Sequence, residues 1–209
     1  MSHKKIRWLR YLVCVVISCG AVWGGYAVTR PVDEVLLTLG EPYEQVRRQS
    51  RSTLPVATRD NSINLYVTRP AILRFRDPQY GFVTTAAKFL SLYADQHGDV
   101  TLVTMSPQVE TLPLDEAMVI VLDLQEQLRR GGWRPIRVRR FPPIANTPAM
   151  VASIRRGDDP QTFWQAGGKY QVALDIRRFV HENRPSDERY LITLELSGPP
   201  LMEERPDGL

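Results

Sequence analysis

Several short stretches of this chain alternate apolar with polar side chains, and one longer stretch repeats its apolar positions every three to four residues. Ser62 to Thr68 sets Ile63, Leu65 and Val67 against Asn64, Tyr66 and Thr68, the period of a half-buried strand. Ala71 to Arg76 continues the alternation between Pro70 and Asp77-Pro78, with Leu73 and Phe75 inward and Arg74 and Arg76 outward. Ala87 to Ala94 and Val100 to Met105 flank the polar run Asp95-Gln96-His97-Gly98-Asp99, which predicts a hairpin with a glycine at the position of positive φ. Near the C-terminus, Tyr170, Val172, Leu174 and Ile176 form one alternating set, and Tyr190, Ile192, Leu194 and Leu196 a second. The polar loop His181 to Glu188 separates them.

The helical period is clearest from Pro113 to Arg130, where Leu114, Ala117, Met118, Val121, Leu124 and Leu128 share one face. Asp115 and Glu116 in its first turn, Arg129 and Arg130 in its last, and Gly131-Gly132 beyond complement the helix dipole and its end. Val119, Ile120 and Leu122 widen the apolar face, so the middle of this helix is expected to be covered on most sides. Glu41 to Arg48 opens a shorter helix with proline in its first turn, and Pro55 is expected to stop it. Thr147-Pro148 predicts a helix through about Arg156, and Asp159-Pro160 a second through about Gln165. Trp133 to Phe141 reads as a short strand interrupted by Pro135, and Thr29 to Gly40 as a connection that turns apolar at Val35-Leu36-Leu37. These elements predict one α+β domain over residues 29–198, an antiparallel sheet with helices packed on one face. Residues 199–209 have little to pack and are expected to be mobile.

Charge changes the picture at one end. Of the 27 basic side chains, Lys4, Lys5, Arg7 and Arg10 precede residue 28 and no acid does, so residues 29–209 balance 23 basic against 23 acidic groups. A neutral body argues against nucleic acid as partner, despite the overall charge of +4. Tyr11 to Val28 is an uncharged run that would be roughly 27 Å long as a helix, close to the hydrocarbon thickness of a bilayer. Trp8, Tyr11, Trp23 and Tyr26 lie toward its ends, where amphipathic rings favour the membrane interface. Residues 1–28 therefore predict an N-terminal membrane or signal helix with a cytoplasmic N-terminus and an exported body. Three fates of this leader stay open: a retained single-pass anchor, a signal cleaved near Ser18, Gly20 or Ala21, and lipidation at Cys19 within Val16-Ile17-Ser18-Cys19. Each places the body beyond the cytoplasmic membrane.

Cys14 and Cys19 are both in the leader, so the body is expected to hold no disulfide, thiolate metal site or cysteine nucleophile. Its histidines, His97 and His181, have no zinc-ligand spacing, and neither a nucleophile elbow nor a phosphate-binding glycine loop occurs. The sequence thus predicts no catalytic residue, no cofactor and no metal; an exported hydrolase working through His97 or His181 is the competing expectation. Gly131-Gly132 and Gly167-Gly168 follow predicted helices and read as caps. Asp158-Asp159 reads as a helix start before Pro160, with cation binding as the sharper alternative, and Asp175 and Glu195 fall on the polar faces of the terminal strands. For contact with a protein partner the candidates are Phe163, Trp164, Asp158 and Asp159, with Arg129, Arg130 and Arg134 as a second patch. Arginine suits paired contacts with carboxylates, and an aromatic pair such as Phe163-Trp164 serves equally as core or as an exposed anchor.

Two stretches carry resemblances. Thr38-Leu-Gly-Glu-Pro-Tyr-Glu-Gln-Val-Arg47 resembles the opening helix of small periplasmic modules of the outer-membrane-assembly lipoprotein and beta-lactamase-inhibitor type. Pro107-Gln-Val-Glu-Thr-Leu-Pro-Leu-Asp-Glu-Ala-Met118, through Gln127-Leu-Arg-Arg-Gly-Gly-Trp-Arg-Pro-Ile136, is similar to part of the membrane-anchored immunity proteins that accompany type VI secretion lipase effectors. The resemblance implies a periplasmic protein of the bacterial inner membrane that binds a secreted toxin and occludes its active site, without chemistry of its own. A structural accessory of an envelope assembly or secretion complex, with the leader itself as a contact, is the alternative expectation.

Overall fold

Strand alternation builds the larger of two sheets. In the computed structural model, which describes residues 31–58 and 65–198, seven antiparallel strands stand in the order β2-β5-β6-β10-β9-β8-β7. They are β2 (Leu65–Tyr66), β5 (Phe89–Ala94), β6 (Val100–Ser106), β7 (Arg134–Ile136), β8 (Gln161–Ala166), β9 (Tyr170–His181) and β10 (Arg184–Ser197). Registered pairs carry one line of side chains across all seven: Leu65, Leu92, Val103, Leu196, Val172, Trp164 and Pro135. The first six are buried. A second line, Leu90, Met105, Leu194, Leu174 and Thr162, runs beside it and is buried too. Each such apolar side chain contributes about 1.5–3 kcal/mol by leaving water, so this face defines the core.

The smaller sheet has the order β1-β3-β4, from Asp33–Leu37, Ala71–Phe75 and Phe82–Val83. Val35, Leu37, Leu73, Phe75 and Phe82 join the same core as the large sheet. The seam between them is aromatic: the Phe75 ring lies 5.0 Å from Tyr170 and 5.6 Å from Phe82, and Trp133 is 6.3 Å from Tyr170. Trp133 also donates its indole N–H to the Tyr80 carbonyl.

Three helices are described: α1 (Tyr43–Gln49), α2 (Leu114–Arg130) and α3 (Pro148–Arg156). The predicted apolar stripe of α2 is buried against β4, β9 and β10. Its far side is open, with Val119 68% exposed and Leu122 only half-buried, so the helix is not covered on most sides as its composition suggested. Proline begins α2 without a side-chain cap, whereas Thr147 caps α3 by accepting from the Met150 N–H. Among the described residues no helix is long and apolar enough to cross a membrane. The leader 1–28, Ile63 and the tail 199–209 lie outside the described residues.

Several expectations are corrected. Val35-Leu36-Leu37 belongs to a strand, because Ala71–Phe75 offers it a parallel ladder that the local sequence does not announce. The first helix ends at Gln49, six residues before Pro55, when Ser50 turns extended. The segment from Asp159-Pro160 to Gln165 forms β8 rather than a helix, because Thr162, Phe163 and Trp164 pair with β9 and are buried. Gly167-Gly168 accordingly turns a hairpin, with Gly167 at φ 56°, instead of capping a helix. The strand after Trp133 is confined to Arg134–Ile136, and the chain then turns at Arg137, whose φ is 53°. Within the predicted loop His181 to Glu188 only His181 and Arg184 pair, closing the turn; the register then shifts before Arg189 meets Phe179, although β10 already begins at Arg184.

Candidate functional site

The predicted contact residues do not form one site. Phe163 and Trp164 sit on opposite faces of β8, and both are buried, so the exposure on which their candidacy rested is absent. Trp164 faces the core, where Arg129 places its guanidinium 5.7 Å from the ring centroid. Phe163 faces the other way and is covered by the Phe141 ring, 5.0 Å off and nearly perpendicular. Arg129 and Arg130 both pair with Glu126, whose carboxyl is held below its usual range by Arg130 and then Arg129. Arg134 is exposed on β7.

Asp158 and Asp159 are exposed in the link between α3 and β8, after a helix rather than at the start of one. Asp158 accepts from the Ser153 hydroxyl at 2.8 Å and from Arg156 at 2.7 Å, and these bonds lower its pKa. It is the acceptor that closes the end of α3. Asp159 has a φ of 45°. No group of three or more His, Cys, Asp or Glu side chains suited to a metal occurs among the described residues. His97 lies in the β5–β6 turn and His181 at the β9–β10 turn, at opposite ends of the sheet.

Besides hollows at Arg74–Val83 and beside Val100–Leu102, two further surfaces are accessible among the described residues. One is a groove of about 610 Å³ between α2 and α3, floored by Leu114, Met118, Val119, Leu122 and Val151. At its rim Arg155 pairs with Glu188 at 3.2 Å, and Glu188 also accepts from the Tyr190 hydroxyl. These bonds, Tyr190's first, lower the Glu188 pKa.

The other surface is the outward face of the seven-stranded sheet. Its central line reads Ile136, Phe163, Ala173, Glu195, Thr104, Ser91 and Tyr66 from one edge to the other. The β7–β8 end is covered by Phe141, but Ala173 and Thr104 are half-buried and Glu195 is exposed. At the β2–β5 end, Tyr66 stands opposite Ser91, with Phe89 and Tyr93 on either side of it along β5. Ser91 is fully buried, while Tyr66 and Phe89 stay 57% and 49% exposed.

Beside this line lie Gln161, Asp175 and Thr193, cross-strand neighbours on β8, β9 and β10. Burial pushes the Asp175 carboxyl up to about 6; Thr193 and Arg177 oppose the shift, and Glu195 and Asp159 add to it. The sequence placed Asp175 and Glu195 on polar strand faces but not beside each other, which required the β9–β10 register. The aromatic group was missed although Phe89, Ser91 and Tyr93 alternate visibly in the sequence. No protein-family model matches this chain, and neither a curated protein nor a solved structure does.

Proposed function

We propose that this chain is a non-enzymatic binding protein of the bacterial periplasm that neutralises a toxic effector enzyme by lying over its active site. The observation that carries the proposal is the accessible outward face of the large sheet, which exposes Tyr66 and Phe89 at one end and an acid, Glu195, at its centre. Solvent-exposed aromatic side chains on a hydrogen-bonded sheet lose little conformational entropy when a partner covers them, which is what occlusion requires. The basic leader and the apolar run over residues 11–28 support an exported body held at the inner membrane. A type VI secretion lipase effector is the partner class implied by the resemblance of residues 107–136.

The test is to tag the full chain, extract it from the source envelope in detergent, and assay what co-purifies. A single secreted enzyme, present in stoichiometric amount and inhibited while bound, is the expected result. Several inner-membrane assembly components with no inhibited enzyme among them would instead assign the chain to an envelope complex as an accessory subunit.

A further inference from the structure

The geometry points to the outward face of the seven-stranded sheet as a docking surface for a basic element of a protein partner, whose lysine or arginine side chain lies against Glu195 and Asp175 while its apolar neighbours cover Tyr66, Phe89 and Tyr93. This rests on the binding function proposed above and names the surface and the chemistry of the partner.

Register supplies the placement. Asp175 stands opposite Thr193 on β10, and Glu195 stands opposite Ala173 on β9, so the two acids are diagonal neighbours on one face. Such neighbours are about 7–8 Å apart, within reach of one another's field. Thr104 lies opposite Glu195 on the other side, and Ser91 and Tyr66 follow it in line. The acidic centre and the aromatic end are therefore three strands apart on a single continuous surface.

The charges on this face are unbalanced at its centre. Arg177, two residues along β9, is the cation that Asp175 feels, while Asp159 and Glu195 repel it. Glu195 is exposed, and among the described residues it has no ion pair. The remaining central side chains, Gln161, Thr193, Ala173 and Thr104, are neutral. Like charges held near each other on a half-buried sheet are unfavourable, and an incoming cation converts that repulsion into attraction. An acidic or purely apolar partner would leave Glu195 facing it without a cation and Asp175 with Arg177 alone. Burial raises the preference of Asp175 for a proton in the free protein, and an incoming cation would act against that shift as Arg177 does.

The aromatic end supplies the other requirement. Tyrosine and phenylalanine carry large contact area on only two side-chain torsions, and they form apolar anchors beside charged contacts. Tyr66 and Phe89 are the two most accessible aromatic rings described on this face.

The experiment is site-specific photo-cross-linking of the full chain in the source envelope. A benzoylphenylalanine replaces Thr104 at the centre of the face or, separately, Val119 in the α2–α3 groove. The expected result is an adduct from position 104 to one exported protein, mapped by mass spectrometry to a peptide containing lysine or arginine. Its yield falls roughly tenfold on Glu195→Lys, falls as salt is raised, and is retained on Glu195→Asp. An adduct from position 119 alone overturns the surface while leaving the binding function standing. An adduct to this chain itself, within one copy or between two, overturns the proposal. A mapped peptide without a basic residue, or a yield indifferent to Glu195→Lys, does the same. No adduct from either position overturns both the surface and the binding function.

Discussion

Two buried tryptophans show how one side chain can be satisfied in different ways. Trp133 is 2% exposed and donates its indole N–H to the Tyr80 carbonyl, whereas Trp164 is fully buried and its indole nitrogen has no hydrogen-bond partner among the described residues. Replacing either by phenylalanine removes similar volume, but only Trp133→Phe leaves a carbonyl without its donor. We therefore expect Trp133→Phe to cost about 1 kcal/mol more than Trp164→Phe, measured by urea unfolding; equal losses would show that the Tyr80 bond contributes nothing. Asp175 gives a second prediction at this scale. Its folded pKa of about 6 lies above the ordinary carboxylate value of 3.8, so the folded chain binds this proton more tightly than the unfolded chain. The group therefore favours folding most below pH 4, and that contribution is lost as pH rises through 6. Asp175→Asn should raise the urea midpoint at pH 7.5 and not at pH 3.5, flattening the profile between. An unchanged profile would place the carboxylate in water.

Elements here are pinned by glutamine side chains that stand in for missing backbone partners. Gln125 on α2 is 2% exposed; it donates to the Ile144 carbonyl at 2.7 Å and accepts from the Ile144 N–H at 2.9 Å, as a neighbouring strand would. Gln108 does the same for β10, donating to the Tyr190 carbonyl and accepting from the Ile192 N–H. Gln127 accepts from the Val83 N–H and ties α2 to β4. Gln125→Leu keeps the volume but leaves two buried backbone groups unpaired, so a loss of about 2–3 kcal/mol is expected in thermal or urea unfolding. A near-neutral result would mean that the segment around Ile144 relaxes to water. None of these bonds is legible in a sequence, where a glutamine on an apolar helix face looks like an interruption. The helix α2, the 89–106 hairpin and the terminal strands were legible, because each buries one face and so carries a period. The strand β8 was not: Thr162, Phe163 and Trp164 are consecutive and all buried, so no alternation remains to be seen. The first strand was hidden for another reason, since its partner is remote in sequence and parallel to it. Among the candidate contacts the acids and arginines are exposed, whereas the aromatic pair is buried in a strand that the sequence read as a helix.

For the molecule as a whole, both sheets share one core, and the long strands β9 and β10 are its common frame. Twelve residues of β9 at about 3.3 Å each extend roughly 40 Å, farther than their neighbours follow. Pairing with β8 ends at Asp175, and pairing of β10 with β6 ends at Leu194. Past the Leu112–Tyr190 bridge, Arg177 to Arg189 project as a two-stranded ribbon, tethered by Arg155 to Glu188 and by Arg178 to the Arg155 carbonyl. A free two-stranded ribbon is marginal in water, so this tip should fray long before the sheet opens. Amide hydrogens at Phe179 and Arg189 should exchange well ahead of those at Val172 and Leu174, and Arg155→Ala should widen the gap; uniform protection along both strands would refute it. On that expectation the described part of the domain, from residue 33 to 198, opens from one end, past Ile176 and Ile192. The part of β9 and β10 flanked by β8 and β6 would then keep its form, so a partner resting there would meet a surface already set.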